Sequence, residues 1–365
     1  MAATRAAAAA ALPDVLRDIA ALATIPGPTG DEHRRAEWVL RRLNGSPGRQ
    51  SRDDVGNVLW MFGSDDPDVL VMAHLDSVFG KDVELQIRRV DRWLDGPGVG
   101  DNACAVAVCI SVVGGLVTEH GDLPLAVAFT VGEEGLGNLR GALAACAALS
   151  PRRVVAVEGH GLGDTVVYGI GGVRARLRVE GPGGHSWWDR GRPSALHAMV
   201  EVVHVLLTAK SRAQVNVGTI EGGAGVNIIA DSCAVLLEGR AKDDVSLRQF
   251  EELVGALTVE PPLRLSVDVL GRRPAGRLDP DGELVKLVRR TRQELTLPDH
   301  LGDGSTDANA ALTQGIPAVG IGCAYGSGMH TVHERIDMSS VELGYSQLRL
   351  LLEDALVPRS RPPAR

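Results

Sequence analysis

Leu125-Ala126-Val127-Ala128-Phe129-Thr130-Val131 runs without a break into Gly132-Glu133-Glu134-Gly135. An apolar run of this length, with no polar alternation, predicts a strand buried on both faces. Such a strand needs a sheet with helices on either side. Working outward, residues 68–73 and 154–157 repeat the signature, and 58–62 alternates more loosely. Residues 103–117 and 139–149 read as the intervening helices, and two more precede the first strand at 14–25 and 31–43. The pattern is that of an α/β sandwich.

Beyond Gly172 the grammar changes. Residues 173–180 alternate like a half-exposed strand, 193–210 read as a helix, and 214–220 and 233–239 alternate again. A helix at 245–257 and a strand at 263–270 complete the order β-α-β-β-α-β, the split unit of a ferredoxin-like domain. Arg272-Arg273-Pro274-Ala275-Gly276 reads as its exit. Helix at 281–295, strand at 317–321 and helix at 341–355 then return to the first style. The expected organisation is a catalytic domain in two pieces, 1–171 and 276–365, with a lid or dimerisation domain inserted at 172–275.

The 365 residues carry a formal charge of −8, which argues against a nucleic-acid partner. Aromatics are only 3%, so the core rests on Val, Leu, Ile and Ala. Five cysteines without a CxxC pair fit neither a zinc finger nor a disulfide framework, and a reducing, cytoplasmic setting is expected. The alanine run at 6–11 lacks the cleavage site of a signal peptide and reads as a frayed helix. No apolar stretch reaches membrane-spanning length free of charges and turn signals, so no membrane association is expected.

Chemistry gathers where the buried strands end. Met72-Ala73-His74-Leu75-Asp76 points His74 and Asp76 the same way, which suits a metal-binding imidazole oriented by a carboxylate and equally a plain polar pair. Asp101, after Gly96-Pro97-Gly98-Val99-Gly100, is either a ligand or a helix N-cap. Glu133 and Glu134 at a strand mouth cost free energy unless a cation is close or the loop is solvated. Glu158 closes another strand, followed by Gly159 and His160. His330 and His333 lie late in the chain, just before Glu334, and singly read as loop histidines. Mixed imidazole and carboxylate donors suit zinc, with cobalt or manganese as substitutes.

The order of these motifs, together with the inserted domain, resembles the co-catalytic zinc superfamily of peptidase T, aminoacylase, succinyl-diaminopimelate desuccinylase and glutamate carboxypeptidase. Ser305-Thr306-Asp307-Ala308-Asn309 and the Gly96–Asn102 turn resemble the peptidase T-like and glutamate carboxypeptidase branches, with the whole closest to the peptidase T-like one. The resemblance implies two divalent ions, one held by His74 and Glu158, the other by Glu134 and His330, with Asp101 bridging. It gives Glu133 the role of general base and Asp76 that of partner to His74. It also implies a cis bond between Asp101 and Asn102. From Gly183-Gly184-His185-Ser186 it takes His185 as oxyanion stabiliser, supplied by the partner in a homodimer formed through the lid. Asn227 and Arg240 would bind substrate, although Asn227-Ile228-Ile229-Ala230 and Glu238-Gly239-Arg240 depart from the family's Asn-x-Ile-Pro and Asp-Leu-Arg. Trp187, Trp188 and Arg190 either line that pocket or pack the lid. The implied activity is hydrolysis of a short peptide, as by an aminopeptidase or dipeptidase. The rivals are an N-acyl-amino-acid amidohydrolase and a non-catalytic metal- or peptide-binding relative.

Overall fold

The apolar run quoted first forms the strand Leu125–Thr130, and all six of its residues are buried. Side chains of a strand alternate between faces, so each buried strand feeds two cores. Leu125, Val127 and Phe129, with Val69, Val71 and Ala73, meet the helices Ala2–Ala23, Ala105–His120, Glu283–Leu295 and Met338–Leu356. Ala126 and Ala128, with Leu70, Met72, Val154 and Ala156, meet Arg140–Leu149 and Ala308–Thr313 on the other face. The computed structural model describes residues 2–357. It divides into two compact units, one running to Gly169 and resuming at Arg277, the other Ile170–Gly276.

The first unit holds a nine-stranded sheet. At its centre, Leu125–Thr130, Val69–His74, Arg153–Glu158 and Ala318–Gly322 are mutually parallel neighbours. Val58–Met61 and Arg49–Arg52 extend one side antiparallel. Asp164–Gly169 runs antiparallel to Ala318–Gly322 on the other side, and His300–Gly304 pairs with it in parallel. Because the four central strands are parallel, their carboxyl ends open on one side, where open α/β sheets bind ligands. The alanine run differs from expectation: it is part of the continuous helix Ala2–Ala23. Ala8, Val15, Ile19 and Leu22 repeat at helical spacing and are packed in the core. The apolar segment Val99–His120 is long enough to cross a membrane, yet 83% of its apolar window is buried inside the protein.

A four-stranded sheet orders Gln214–Gly222, Ser232–Ala241, Gly171–Glu180 and Arg264–Arg273 in the second unit, all antiparallel. Val173, Ala175, Leu177 and Val179 turn one face towards the helices Ala195–Thr208 and Asp244–Gly255. The second helix starts where Asp243 accepts from the Ser246 N–H, an ordinary N-cap. The fold is therefore an α/β sandwich together with a ferredoxin-like unit inserted in its chain.

Candidate metal centre

Three parallel strands deliver the first residues. His74 ends its strand opposite Thr130, and Glu158 ends the next opposite Gly322. Leu125–Thr130 leads directly into the turn bearing Glu133 and Glu134. Asp101 comes from the tight turn Val99–Cys104, where its backbone is not helical and its bond to Asn102 is cis. His330 hangs from the loop between the short strands Gly326–Ser327 and Arg335–Asp337, in a left-handed conformation with φ 64°.

These side chains converge. His74 Nε2 lies 3.0 Å from Asp101 Oδ1 and 3.6 Å from Glu158 Oε2. His330 Nε2 lies 2.9 Å from Asp101 Oδ2 and 3.2 Å from Glu134 Oε1. The two oxygens of Asp101 thus face two different imidazoles, each of which has its own second carboxylate. His74, Asp101 and Glu134 each place a ligand atom within 4.8 Å of the others, and all three residues are buried. The N-cap reading of Asp101 fails, because its carboxylate is turned to the histidines and the helix beginning at Ala105 has no side-chain cap.

Asp76 faces His74 and is engaged elsewhere as well. Its carboxylate oxygens accept from the backbone N–H groups of Glu133 (2.9 Å) and Glu134 (2.8 Å), and from the Thr29 hydroxyl. The His74 Nδ1 is 3.1 Å from the Asp76 carbonyl but 3.6 Å from its carboxylate. Asp76 therefore pins the Glu133-Glu134 turn while both its carbonyl and its carboxylate face the His74 imidazole.

Charge shapes the cluster. Burial pushes the Glu158 carboxyl up, with Asp101 and Glu134 adding repulsion against the opposing pull of His74. Burial would raise Asp101 too, but His330 and His74 outweigh it and hold the carboxylate well below its usual range. Asp101 and then Glu134 raise His330 to about 10. Arg35 lies beneath, fully enclosed, donating to the carbonyls of Ile25 and Leu75. Burial lowers it to about 10, so it stays cationic beside Asp76, Asp101 and Glu334. Three carboxylates and two imidazoles brought together in this way form a donor set that fits divalent cations.

Other residues carry more than their sequence disclosed. Glu334, 0% exposed, accepts from backbone N–H groups of the Asp101 turn. Asp307 does not cap its helix; Thr130 donates to its Oδ2 at 2.5 Å while Oδ1 is buried without a partner. Cys104 packs against Cys323, with the sulfurs 3.5 Å apart, as a core residue. A fully buried carboxylate at position 334 leaves no trace in hydropathy, so only the spacing from His330 hinted at it.

His185, Asn227 and Arg240 belong to the second unit. The His185 Nδ1 accepts from the backbone N–H groups of Trp187 and Trp188 at 3.2 and 3.4 Å, which leaves Nε2 to carry the ring proton. Asn227 is exposed, and its carbonyl accepts from the Ser186 N–H. Arg240 donates to Glu238 Oε1 at 2.9 Å on the strand Ser232–Ala241. Trp187 and Trp188 do not pack the unit's interior; they are 64% and 76% exposed.

Residues 70–354 match peptidase family M20/M25/M40. A Pyrobaculum aerophilum relative described as a LysW-lysine/LysW-ornithine hydrolase is 26% identical over 359 residues, covering 95% of this chain and 98% of its own. Among solved structures, aminopeptidase PepT from Bacillus cereus superposes with a TM-score of 0.73 at 18% identity, over 94% of this chain and 98% of that one. The Bacillus subtilis YXEP protein, described as a dinuclear metal-binding peptidase, superposes with a TM-score of 0.68 at 14% identity, over 95% and 99%.

Proposed function

The chain belongs to peptidase family M20/M25/M40, a metal-dependent hydrolase of peptide or amide bonds, and from that premise we propose an aminopeptidase or dipeptidase acting on short peptides through two zinc ions. The observation that carries this reading is the split of Asp101, one oxygen towards His74 and the other towards His330. His74 and Glu158 would hold one ion, Glu134 and His330 the other, and Asp101 both. Bound there, paired divalent ions supply Lewis acidity and lower the pKa of a shared water.

The chain's own groups then act in order. Glu133 accepts the proton of the attacking water and delivers it to the departing amine. Asp76, by holding both N–H groups of the turn, keeps Glu133 and its ligand neighbour Glu134 in register. His185, whose Nε2 bears the proton, would donate to the oxyanion, and a second copy of the chain is its proposed source. Asn227 and Arg240 would bind the substrate carboxylate, for which Arg240 must leave Glu238 or share it. Cobalt or manganese would serve in the same donor set.

Replacing Glu133 by Gln keeps the size of the side chain and removes the base. Turnover should fall by roughly 10²–10⁴-fold or more while two metal ions per chain remain bound. Activity close to wild type would reject Glu133 as the base. A second reading, an N-acyl-amino-acid amidohydrolase, is favoured by the Pyrobaculum aerophilum relative, described as a hydrolase of LysW-lysine and LysW-ornithine. Di- and tripeptides assayed beside N-acyl amino acids separate the two, and turnover of acylated substrates alone overturns the peptidase reading.

A further inference from the structure

Glu334 is the most fully engaged carboxylate near the cluster, and none of the roles above uses it. Its Oε2 accepts from the Gly98 N–H at 2.6 Å, and its Oε1 from the N–H groups of Gly100 at 3.0 Å and Asp101 at 2.8 Å. The His160 Nε2 lies 2.6 Å from Oε1. Even the Glu334 carbonyl accepts from the Gly96 N–H, at 2.8 Å. A single anion thus grips the backbone from Gly96 to Asp101, across 233 residues of sequence. Burying a carboxylate so completely is costly unless every lone pair is answered, and here they are answered almost wholly by the turn that carries Asp101. The same residue ends the loop that carries His330, so one side chain couples the two loops whose tips meet at Asp101 Oδ2.

We propose that Glu334 is a positioning residue for the metal centre: together with His160 it fixes the Asp101 turn so that the carboxylate stands between the two imidazoles, and it thereby sets the affinity for the metal ions. This rests on the metal-centre reading above. Glutamine is the informative replacement. It matches glutamate in shape, but its NH₂ group must face the N–H of Gly98 or those of Gly100 and Asp101, donor against donor.

The experiment titrates metal-stripped wild type, E334Q, E334D and H160A with Zn²⁺ alone and with Co²⁺ alone, by calorimetry and by the Co²⁺ visible spectrum. Steady-state kinetics follow on the reloaded proteins. E334Q should bind metal roughly 10–100-fold more weakly, with a changed Co²⁺ spectrum. Its kcat should fall while KM stays within about twofold. E334D, which keeps the charge, should recover part of the affinity, and H160A should lose less than E334Q. Wild-type affinity and spectrum in a folded E334Q overturn the proposal, even if its thermal stability drops, because that pattern marks a purely structural residue. Should E334Q not fold, H160A decides: weakened binding supports the proposal and unchanged binding rejects it. Failure of wild type itself to bind two divalent ions would instead sink the metal-centre reading, a distinct outcome.

Discussion

Asp307 is a buried carboxyl group that its surroundings only half answer. Burial raises its carboxyl to about 7; His74 and the Thr130 hydroxyl pull the other way, and Glu158 and Asp76 add to the rise. One oxygen has Thr130 and the other has no partner. In the unfolded chain the same group ionises near its ordinary value of 3.8. Between those two values the folded protein holds a proton that the unfolded chain has released, so stability declines as pH rises through this window. The slope from this one group is at most about 1.4 kcal/mol per pH unit. Asp307→Asn keeps an acceptor for Thr130 and removes the titration. In the metal-stripped protein it should flatten the pH dependence of urea unfolding between pH 4 and 7 and raise stability at pH 8. An unchanged profile would mean that Asp307 is ionised in the folded state. Arg35 shows the opposite solution, a buried cation whose carbonyl partners and neighbouring carboxylates keep it charged.

Elements meet at this site through backbone contact as much as through side chains. A β-carbon added at Gly159 would stand 1.8 Å from the carbonyl oxygen of Gly100. The end of the Arg153–Glu158 strand and the Asp101 turn therefore approach as closely as they do because position 159 has no side chain. Gly159→Ala should force the two apart, costing about 1–3 kcal/mol of stability by overpacking. It should also weaken metal binding, since Glu158 and Asp101 sit on either side of that contact. Calorimetric metal titration beside thermal unfolding checks both, and wild-type metal affinity would show that the turn yields without moving its carboxylate. The central strands were legible because burial on both faces writes itself into continuous apolar runs. His74, Glu133, Glu134 and Glu158 were legible because they end such runs or follow them, and Asp101 because it follows a glycine-rich turn. Other elements left weaker marks. His300-Leu301-Gly302-Asp303-Gly304 pairs in parallel with Asp164–Gly169 through its backbone, and offers a single apolar side chain to read. The small sheet that carries the His330 loop uses strands of two or three residues, too short for periodicity to register. Glu334 was the deepest omission, because a carboxylate bound to distant amides looks like any loop glutamate.

For the whole molecule, association is the property that sequence patterning left most open. The helix Ala195–Thr208 buries Met199, Val202 and Leu206, yet leaves Val200 and Leu207 52% and 56% exposed. Seven residues apart, these two lie on one side of the helix. The strand Gln214–Gly222 is the outer edge of its sheet, with Ile220 53% exposed. An unpaired strand edge beside exposed aliphatic side chains is a surface that soluble proteins ordinarily cover. A second copy of the chain is the occupant that the proposed role of His185 points to, and a two-fold arrangement would set the same surface of one chain against its counterpart. The expected outcome is a dimer of two 38.5 kDa chains by light scattering at micromolar concentration. Leu207→Glu combined with Ile220→Lys should convert it to a folded monomer, since each places a charge at a position already more than half exposed. If His185 is supplied by the partner, that monomer should keep its two metal ions and lose turnover. A monomeric wild type, or a monomeric variant as active as wild type, would remove the partner from the mechanism and leave His185 to act within its own chain or not at all.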